Sequence, residues 1–330
     1  MADLFRAIRV YEKEDGEFGQ EIQQCNLDEL PANNTLIRVR YSSLNFKDAL
    51  SATGHKGVTK QFPHTPGIDA AGEIVETTST DFKVGEEVIV TGFDLGMNTW
   101  GGFSQYIRVP DSWLIHKPER MSMKYAMSLG TAGLTAGLSV SELFLNDVED
   151  RGTIVITGAT GGVGIIALTL LSRYDYKRVV VSGNKKKYDL LEKLGADEII
   201  PREKFYNEKN KPLLKGEYSG AIDVAGGKIL STLLSKMSYG GTVTCCGLVD
   251  SPELHTTVFP FILRGIRLIG IDSVESDLHY RKKIWHMFAN EWKFDFYPET
   301  IHEIGMEQVP EYIPKILNGE ITGRTVINID

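Results

Sequence analysis

The glycine-rich stretch at 157–164, TGATGGVG, constrains the fold of this chain more than any other segment. It follows the continuous apolar run TIVITG (153–158) and leads into GIIALTLLSRY (164–174). A strand that is apolar throughout is one buried on both faces, as in a parallel sheet covered by helices. Gly158, Gly161 and Gly164 stand three residues apart, so the chain can bend sharply between strand and helix. Main-chain N–H groups at the start of the helix then meet an anion where the helix dipole is positive. The expected ligand is the pyrophosphate of a dinucleotide, lined by Thr160, Gly161, Gly162 and Val163. A glycine turn that only packs helix on strand is the alternative. The spacing departs from the commoner G-x-G-x-x-G, so the flanking strand and helix carry much of the inference.

The next strand, RVVVSG (178–183), reports on which dinucleotide is held. Folds that bind NAD place an Asp or Glu at this strand's end to bond the ribose 2′-hydroxyl. Here the chain reads Ser182, Gly183, Asn184, Lys185, Lys186, Lys187, without an acid. A carboxylate about 4 Å from a phosphate charge would cost about 4 kcal/mol at an effective dielectric near 20. Ser182 and Asn184 offer hydrogen bonds and Lys186 offers charge, which favours NADPH. One or two of the lysines also fit a solvated start to the next helix.

Strand and helix patterns go on alternating: KKYDLLEKLGA, DEIIP, GAIDVAG, KILSTLLSKM, TVTCCGLV, RLIGIDSV. Units of this size imply a parallel sheet with crossover helices. The N-terminal part reads differently. LIRVRY (36–41), GEIVE (72–76), KVGEEVIVTG (83–92, a hairpin turning at Gly85) and SQYIRV (104–109) are short strands of an antiparallel, partly barrel-like domain. At the far end, residues 307–329 read as a helix, a glycine turn and a closing strand that returns to that first sheet. The fold class is therefore α/β, a doubly wound parallel sheet over 123–295 beside a mostly antiparallel domain made from 1–122 and 296–330.

Bulk properties remove several alternatives. A net charge of −8 repels nucleic acid and anionic membrane. No apolar run approaches the ~20 residues that span a bilayer, and the first residues carry no leader pattern. Three cysteines, two of them adjacent in the apolar stretch TVTCCGL, build no disulfide framework and suit a reducing compartment. The expected location is the cytoplasm.

Further motifs carry a resemblance that covers nearly the whole chain: SSLNFKDAL (42–50), FPHTPGIDAAG (62–72), WGGFSQYIRV (100–109), GTAGLTA (130–136), AIDVAGG (221–227), PFILRGIRLIGIDSV (260–274) and GRTVINI (323–329). With the glycine turn, they resemble the medium-chain dehydrogenase/reductase superfamily, in its zinc-free quinone oxidoreductase branch. The similarity is to the YhdH/YhfP group, which includes acryloyl-CoA reductases. The resemblance implies a Rossmann-type domain joined to a GroES-like one, NADPH as cofactor, and hydride transfer to a small electron-poor acceptor: an enoyl-CoA such as acryloyl-CoA, an enone or a quinone. A homodimer is implied too, extending across the sheet edge formed by TVTCCGLV and RLIGIDSV.

No metal is expected. Zinc-dependent cousins carry a Cys and a G-H-E where this chain has Asn45 and Gly67-Ile68-Asp69. The resemblance assigns catalysis to Asn45 and Asp69; Tyr41 is a weaker candidate acid, since an ordinary phenol, with a pKa of about 10, donates only when well placed. Asn45 either donates a hydrogen bond to a developing enolate or caps the helix beginning at Phe46. Asp69 either positions a water or the nicotinamide ribose, or bonds the adjacent glycine turn. Further cofactor contacts fall by resemblance on Phe46, Thr131, Arg202, Leu248, Ile262, Ser273 and Arg324. Of these, Thr131 is equally well explained as a helix cap, and Arg202 either pairs with the 2′-phosphate or is an exposed charge. The loop TGHKGVTKQFP (53–63) brings Lys56 and Lys60 near Lys47 in sequence, a candidate hold for coenzyme A phosphates unless the lysines are only solvated. Two other functions stay open: an NADPH:quinone oxidoreductase, and an NADPH-binding sensor or structural protein without turnover.

Overall fold

The computed structural model describes residues 4–146, 148, 152–206 and 211–330. In chain order the elements are β1 (Leu4–Glu12), β2 (Phe18–Asn26), β3 (Thr35–Leu44), α1 (Phe46–Ala52), β4 (Asp69–Thr77), β5 (Glu87–Thr91), β6 (Tyr106–Val109), β7 (Ile115–His116) and α2 (Met123–Leu145). Then follow β8 (Thr153–Thr157), α3 (Gly162–Leu171), β9 (Lys177–Ser182), α4 (Tyr188–Lys193), β10 (Glu198–Pro201), α5 (Arg202–Phe205), β11 (Tyr218–Asp223), α6 (Gly227–Lys236), β12 (Met237–Cys245), α7 (Phe259–Arg264) and β13 (Arg267–Gly270). The chain closes with α8 (Leu278–Ala289), β14 (Ile301–Gly305), α9 (Val309–Leu317) and β15 (Arg324–Asn328).

Two compact units result. The first comprises the residues up to Thr131 together with Ser273–Asp330; the second is Ala132–Asp272. In the first, strands run in the order β14-β15-β3-β4-β5-β7, with β6 also on β3. The closing strand β15 pairs antiparallel with β3, Thr325 opposite Leu44, which is the return expected from the sequence. The β4–β5 pair is antiparallel, and Gly85 adopts φ +89 between them. Inward side chains such as Ile37, Val39, Ile74, Val88, Phe103 and Ile327 form its core.

The second unit is a sheet in the order β10-β9-β8-β11-β12-β13, parallel throughout. Every residue of β11 is buried, and seven of the ten residues of α3 are buried as well. Continuous apolar strands and an apolar helix therefore do what their composition requires, packing on both sides.

The units divide at 131/132 and 272/273 rather than at the expected 122/123 and 295/296, and each shift has a cause in the fold. At the first, α2 breaks its helical path at Gly130 (φ +52, ψ −152). At the second, α8 is tied into the first unit by Arg281. This fully buried side chain donates to the carbonyls of Thr91, Ser273 and Val274 and lies 4.4 Å over the Phe93 ring. Trp285, Phe288 and Trp292 are buried beside it in sequence.

Candidate functional site

In the second unit the glycine turn has the geometry its spacing implies. Gly158 takes φ +58, and the Gly161 N–H donates to the Gly158 carbonyl at 3.0 Å. Gly161 then stands at the N-cap of α3, where no side chain caps the helix. The first N–H groups of the helix, from Gly162, Val163 and Gly164, thus have no acceptor within the helix. The glycines differ in purpose. A Cβ on Gly164 would stand 2.4 Å from the Gly158 carbonyl oxygen, so Gly164 is needed for close packing. A Cβ on Gly161 would meet only that oxygen, at 3.4 Å, and otherwise enter open space. That opening is a cradle next to uncapped N–H groups, the arrangement that receives a phosphate at a helix N-terminus. Thr160, Gly161, Gly162 and Val163 all line it and are partly exposed.

The ends of β9 and β10 lie side by side, Ser182 opposite Pro201. Arg202 is therefore the next residue after Ser182's partner. Its guanidinium passes over Gly183, 3.4 Å from where a Cβ would be. The Ser182 hydroxyl accepts the Asn184 N–H at 3.2 Å, and the Asn184 side chain accepts the Lys186 N–H at 3.2 Å. Lys185 reaches Glu203 at 3.8 Å, whereas among the described residues Lys186 and Arg202 form no ion pair. A buried hydroxyl, a glycine and two unpaired cations are thus gathered at one strand end. Leu248 and Ile262 are exposed, at 55% and 68%. They make no bond to this cluster.

The first unit holds a different kind of site, closed and densely bonded. Asp69, at the start of β4, is fully buried. Its Oδ2 accepts from the Ser43 hydroxyl (2.6 Å), Asn45 Nδ2 (2.8 Å) and the Thr131 N–H (2.9 Å), and its Oδ1 from the Thr131 hydroxyl (2.6 Å). Arg324, 3% exposed, donates from Nη1 to Asn45 Oδ1 (3.0 Å), from Nη2 to the Ser43 hydroxyl (2.8 Å) and from Nε to the Ser128 carbonyl (3.1 Å). It stands 3.8 Å from Asp69. Burial lowers the Arg324 pKa, while Asp69 and Asp48 pull it back up.

Asn45 occupies the N-cap of α1, yet its side chain makes no capping bond there. One amide proton is held by Asp69. Among the described residues the other has only the Ser43 carbonyl and Asp48, both at 3.3 Å. A buried amide pinned on its oxygen and on one proton, with the second proton weakly engaged, is an oriented donor.

The sequence names Asn45, Asp69, Thr131 and Arg324, and the fold brings all four into one cluster. Arg324 serves there as the buried cation, with its nitrogens bonded inside the first unit. Phe46 follows Asn45 and is partly buried. Ser273 is buried in the same unit, where its carbonyl accepts from Arg281. Tyr41 is half-buried on β3, within electrostatic reach of Lys124, and makes no bond to the cluster. Ser43, Asp48 and Gly130 are members the sequence reading missed. A Cβ on Gly130 would lie 2.4 Å from Asp69 Oδ2 and 2.6 Å from the Ser43 hydroxyl. Asp48 had a legible signal, the three-residue spacing from Asn45 that a capping box uses. Among the described residues no three His, Cys, Asp or Glu side chains are grouped as a metal site.

Comparison with known proteins agrees with both units. The family described as alcohol dehydrogenase GroES-like domain matches residues 31–119, and that described as zinc-binding dehydrogenase matches 162–290. The putative quinone oxidoreductase YhfP of Bacillus subtilis is 39% identical over the full length of both chains. A solved structure of the Bacillus subtilis protein, with NAD bound, superposes with a TM-score of 0.94 over 99% of each chain. The probable acrylyl-CoA reductase AcuI of Escherichia coli is 39% identical over 97% of this chain and 98% of its own. The YhdH oxidoreductase of Salmonella enterica, solved in complex with NADP, is 38% identical, with a TM-score of 0.95 over 98% of this chain and all of its own. The chain belongs to the medium-chain dehydrogenase/reductase superfamily, in the quinone oxidoreductase branch and its YhdH/YhfP group.

Proposed function

We propose that this protein is an NADPH-dependent reductase of activated carbon–carbon double bonds, with acryloyl-CoA or a related enoyl thioester as its substrate. The observation that carries the reading is the acid-free end of β9, where Arg202, without an ion pair among the described residues, lies over Gly183 beside the buried Ser182. A 2′-phosphate fits that group of charges and donors, and a bare 2′-hydroxyl leaves the cations without a partner. The N–H groups of Gly162, Val163 and Gly164 take the pyrophosphate. One relative 38% identical was solved with NADP and another 39% identical with NAD, so the cofactor preference is a matter for titration.

Bound NADPH would supply the hydride that the β-carbon of the acceptor takes up, and the α-carbon of the resulting enolate takes a proton from solvent to complete the reduction. The residues of the chain have to stabilise the negative charge that builds on the acceptor's carbonyl oxygen. Asn45 does this with its weakly engaged amide proton, at little reorganisation cost because Arg324 and Asp69 already hold the amide in place. Asp69 has all its bonds inside the protein, so its part is to hold Asn45 and Thr131. Family analogy leaves Phe46, Thr131, Leu248, Ile262 and Ser273 as further cofactor contacts.

The thioester preference rests on the AcuI relatives and on lysines. Lys56 and Lys60 are exposed. Lys47, half-buried on α1, has only the Met97 sulfur, at 3.9 Å, as a partner among the described residues. Together they suit the phosphates of coenzyme A. Quinone reduction is the second reading, favoured by the name and identity of YhfP. Following NADPH oxidation with acryloyl-CoA, longer enoyl-CoAs, enones and quinones tests the proposal. Turnover of quinones alone replaces the thioester reading, and NADPH binding without any turnover points to the sensor. An unchanged KM for acyl-CoA in Lys56→Glu/Lys60→Glu removes the phosphate hold.

We further propose a cytoplasmic homodimer. Among the described residues no helix is long and apolar enough to cross a membrane, and all three cysteines are free thiols. The edge strand β13 leaves backbone groups open on one side. Nearby in sequence, Val249, Val258, Phe259 and Leu263 are exposed apolar side chains. Sedimentation at several concentrations measures the assembly, and a monomer at every concentration removes it.

A further inference from the structure

The fully buried carboxylate of Asp48 is used by none of the steps above. It stands in the first turn of α1 and reaches two separate chain segments. Its Oδ1 accepts the N–H groups of Gly67 (3.1 Å) and Ile68 (2.8 Å), directly before Asp69. Its Oδ2 accepts the main-chain N–H of Asn45 (2.7 Å) and the Asn45 side-chain amide (3.3 Å). Gly67 adopts φ +114, where a Cβ would stand 2.5 Å from the Phe103 nitrogen. The backbone that leads into Asp69 thus has little freedom of its own, and Asp48 ties it to the turn that carries Asn45.

We propose that Asp48 is a positioning residue for the reduction, one carboxylate that keeps the turn carrying Asn45 and the backbone leading into Asp69 in register through its bonds to the main-chain N–H groups of Asn45, Gly67 and Ile68. The role rests on the reaction proposed above. The charged groups facing Asp48 are Asp69 on β4 and Arg324 on β15. Burial, and then the nearby Asp69, push Asp48 up to about 7, while the N–H bonds from Asn45 and Ile68 draw it down. A proton on Asp48 turns one acceptor oxygen into a donor, so at least one of the four N–H groups loses its partner. The hold is therefore complete above neutral pH and loosens below it. Turnover rises with pH as Asp48 ionises.

Two measurements test this. In the first, kcat, KM and the NADPH Kd of the full chain and of Asp48→Asn are followed from roughly pH 5.5 to 8.5. The amide side chain cannot accept both the Asn45 and the Gly67/Ile68 N–H groups, so kcat falls at least about tenfold. The NADPH Kd stays within about twofold, since Asp48 touches none of the cofactor-binding residues. The rising limb near pH 7 seen in the wild type is missing from the variant. In the second, the 15N amide resonances of Asn45, Gly67 and Ile68 in the wild type shift together with one midpoint near 7. This measurement needs neither activity nor a variant that folds. A folded Asp48→Asn protein with wild-type kcat and the same limb overturns the proposal, as do three amides that do not titrate together. A wild type that reduces no acceptor counts against the reaction instead, and the amide titration still decides whether Asp48 holds the two segments.

Discussion

Replacing Arg202 by Ala isolates the phosphate term in cofactor choice. Its guanidinium lies over Gly183 and has no ion-pair partner among the described residues, so removing it breaks no ion pair with any of them. A unit charge about 4 Å from a phosphate gains about 4 kcal/mol at an effective dielectric near 20 and about 1 kcal/mol in bulk water. Arg202 is exposed, so the true value sits toward the lower figure. A charge-assisted hydrogen bond nets about 1.5–3 kcal/mol. Taking about 1.5–2.5 kcal/mol, Arg202→Ala weakens NADPH binding roughly 10- to 60-fold at 1.4 kcal/mol per decade. NADH, which lacks the 2′-phosphate, is affected by less than about threefold. Calorimetric titration of both cofactors at two salt concentrations reads this directly. Salt weakens NADPH binding in the wild type more than in the variant, because the lost interaction is exposed and screened. Equal losses for NADPH and NADH would place Arg202 away from the 2′-phosphate. Tighter binding of NADH by the wild type would remove the argument at its root.

Three further substitutions separate fold from function. Gly130→Ala forces a side chain into φ +52 and sets its Cβ 2.4 Å from Asp69 Oδ2. The backbone strain costs about 1–3 kcal/mol and a displaced bond to a buried charge about 1.5–3 kcal/mol. A large drop in Tm is expected, and an unchanged Tm refutes the packing. Gly161→Ala has space and an ordinary φ of −82, so it melts like the wild type while losing NADPH and NADH affinity together. Gly164→Ala meets main-chain oxygen at 2.4 Å and loses Tm first. Unchanged cofactor affinity in folded Gly161→Ala dismisses the cradle. For pH, Asp48 is raised to about 7 from an unfolded value of 3.8, so its contribution to stability is present below about 4 and lost as pH rises to about 7. His64 is lowered by burial from 6.5 to about 4, so the stability it takes away at low pH returns as pH rises over nearly the same window. The two oppose each other in the wild type, and the informative curve is the difference. Relative to the wild type, Asp48→Asn gains stability from pH 4 to 7, and a flat difference curve refutes the burial argument.

Which features were legible in the sequence follows from how local their causes are. The glycine turn, the acid-free end of β9 and the alternation of the second unit rest on contacts between neighbours, and each was readable. The β15 return was readable too, because its strand pattern has one sensible partner. The division near Ser273 was not. It depends on Arg281 reaching Thr91, 190 residues earlier, and α8 has no periodicity that announces a buried arginine. The same holds for the cluster around Asp69. Asn45 and Arg324 are 279 residues apart, so that resemblance names both while only the fold makes Arg324 the cation that fixes the Asn45 amide. Gly130 reads from sequence as one more small residue in a helix, and its meaning comes from the oxygens it faces.

The two sites also work in opposite electrostatic regimes, and this decides which solution conditions act on each. Arg202 and Lys186 lie exposed, where a charge is worth little alone and salt dims it further. Cofactor selection there is additive, with single substitutions changing it by modest factors. Asp69, Asp48 and Arg324 are buried, where two carboxylates share one guanidinium and every remaining polar contact counts. Salt barely reaches that cluster, but a single proton does. Raising ionic strength should therefore weaken NADPH binding and leave the pH limb of kcat where it was. Were salt to move the limb and spare the cofactor, charge would be doing the opposite jobs in the two units.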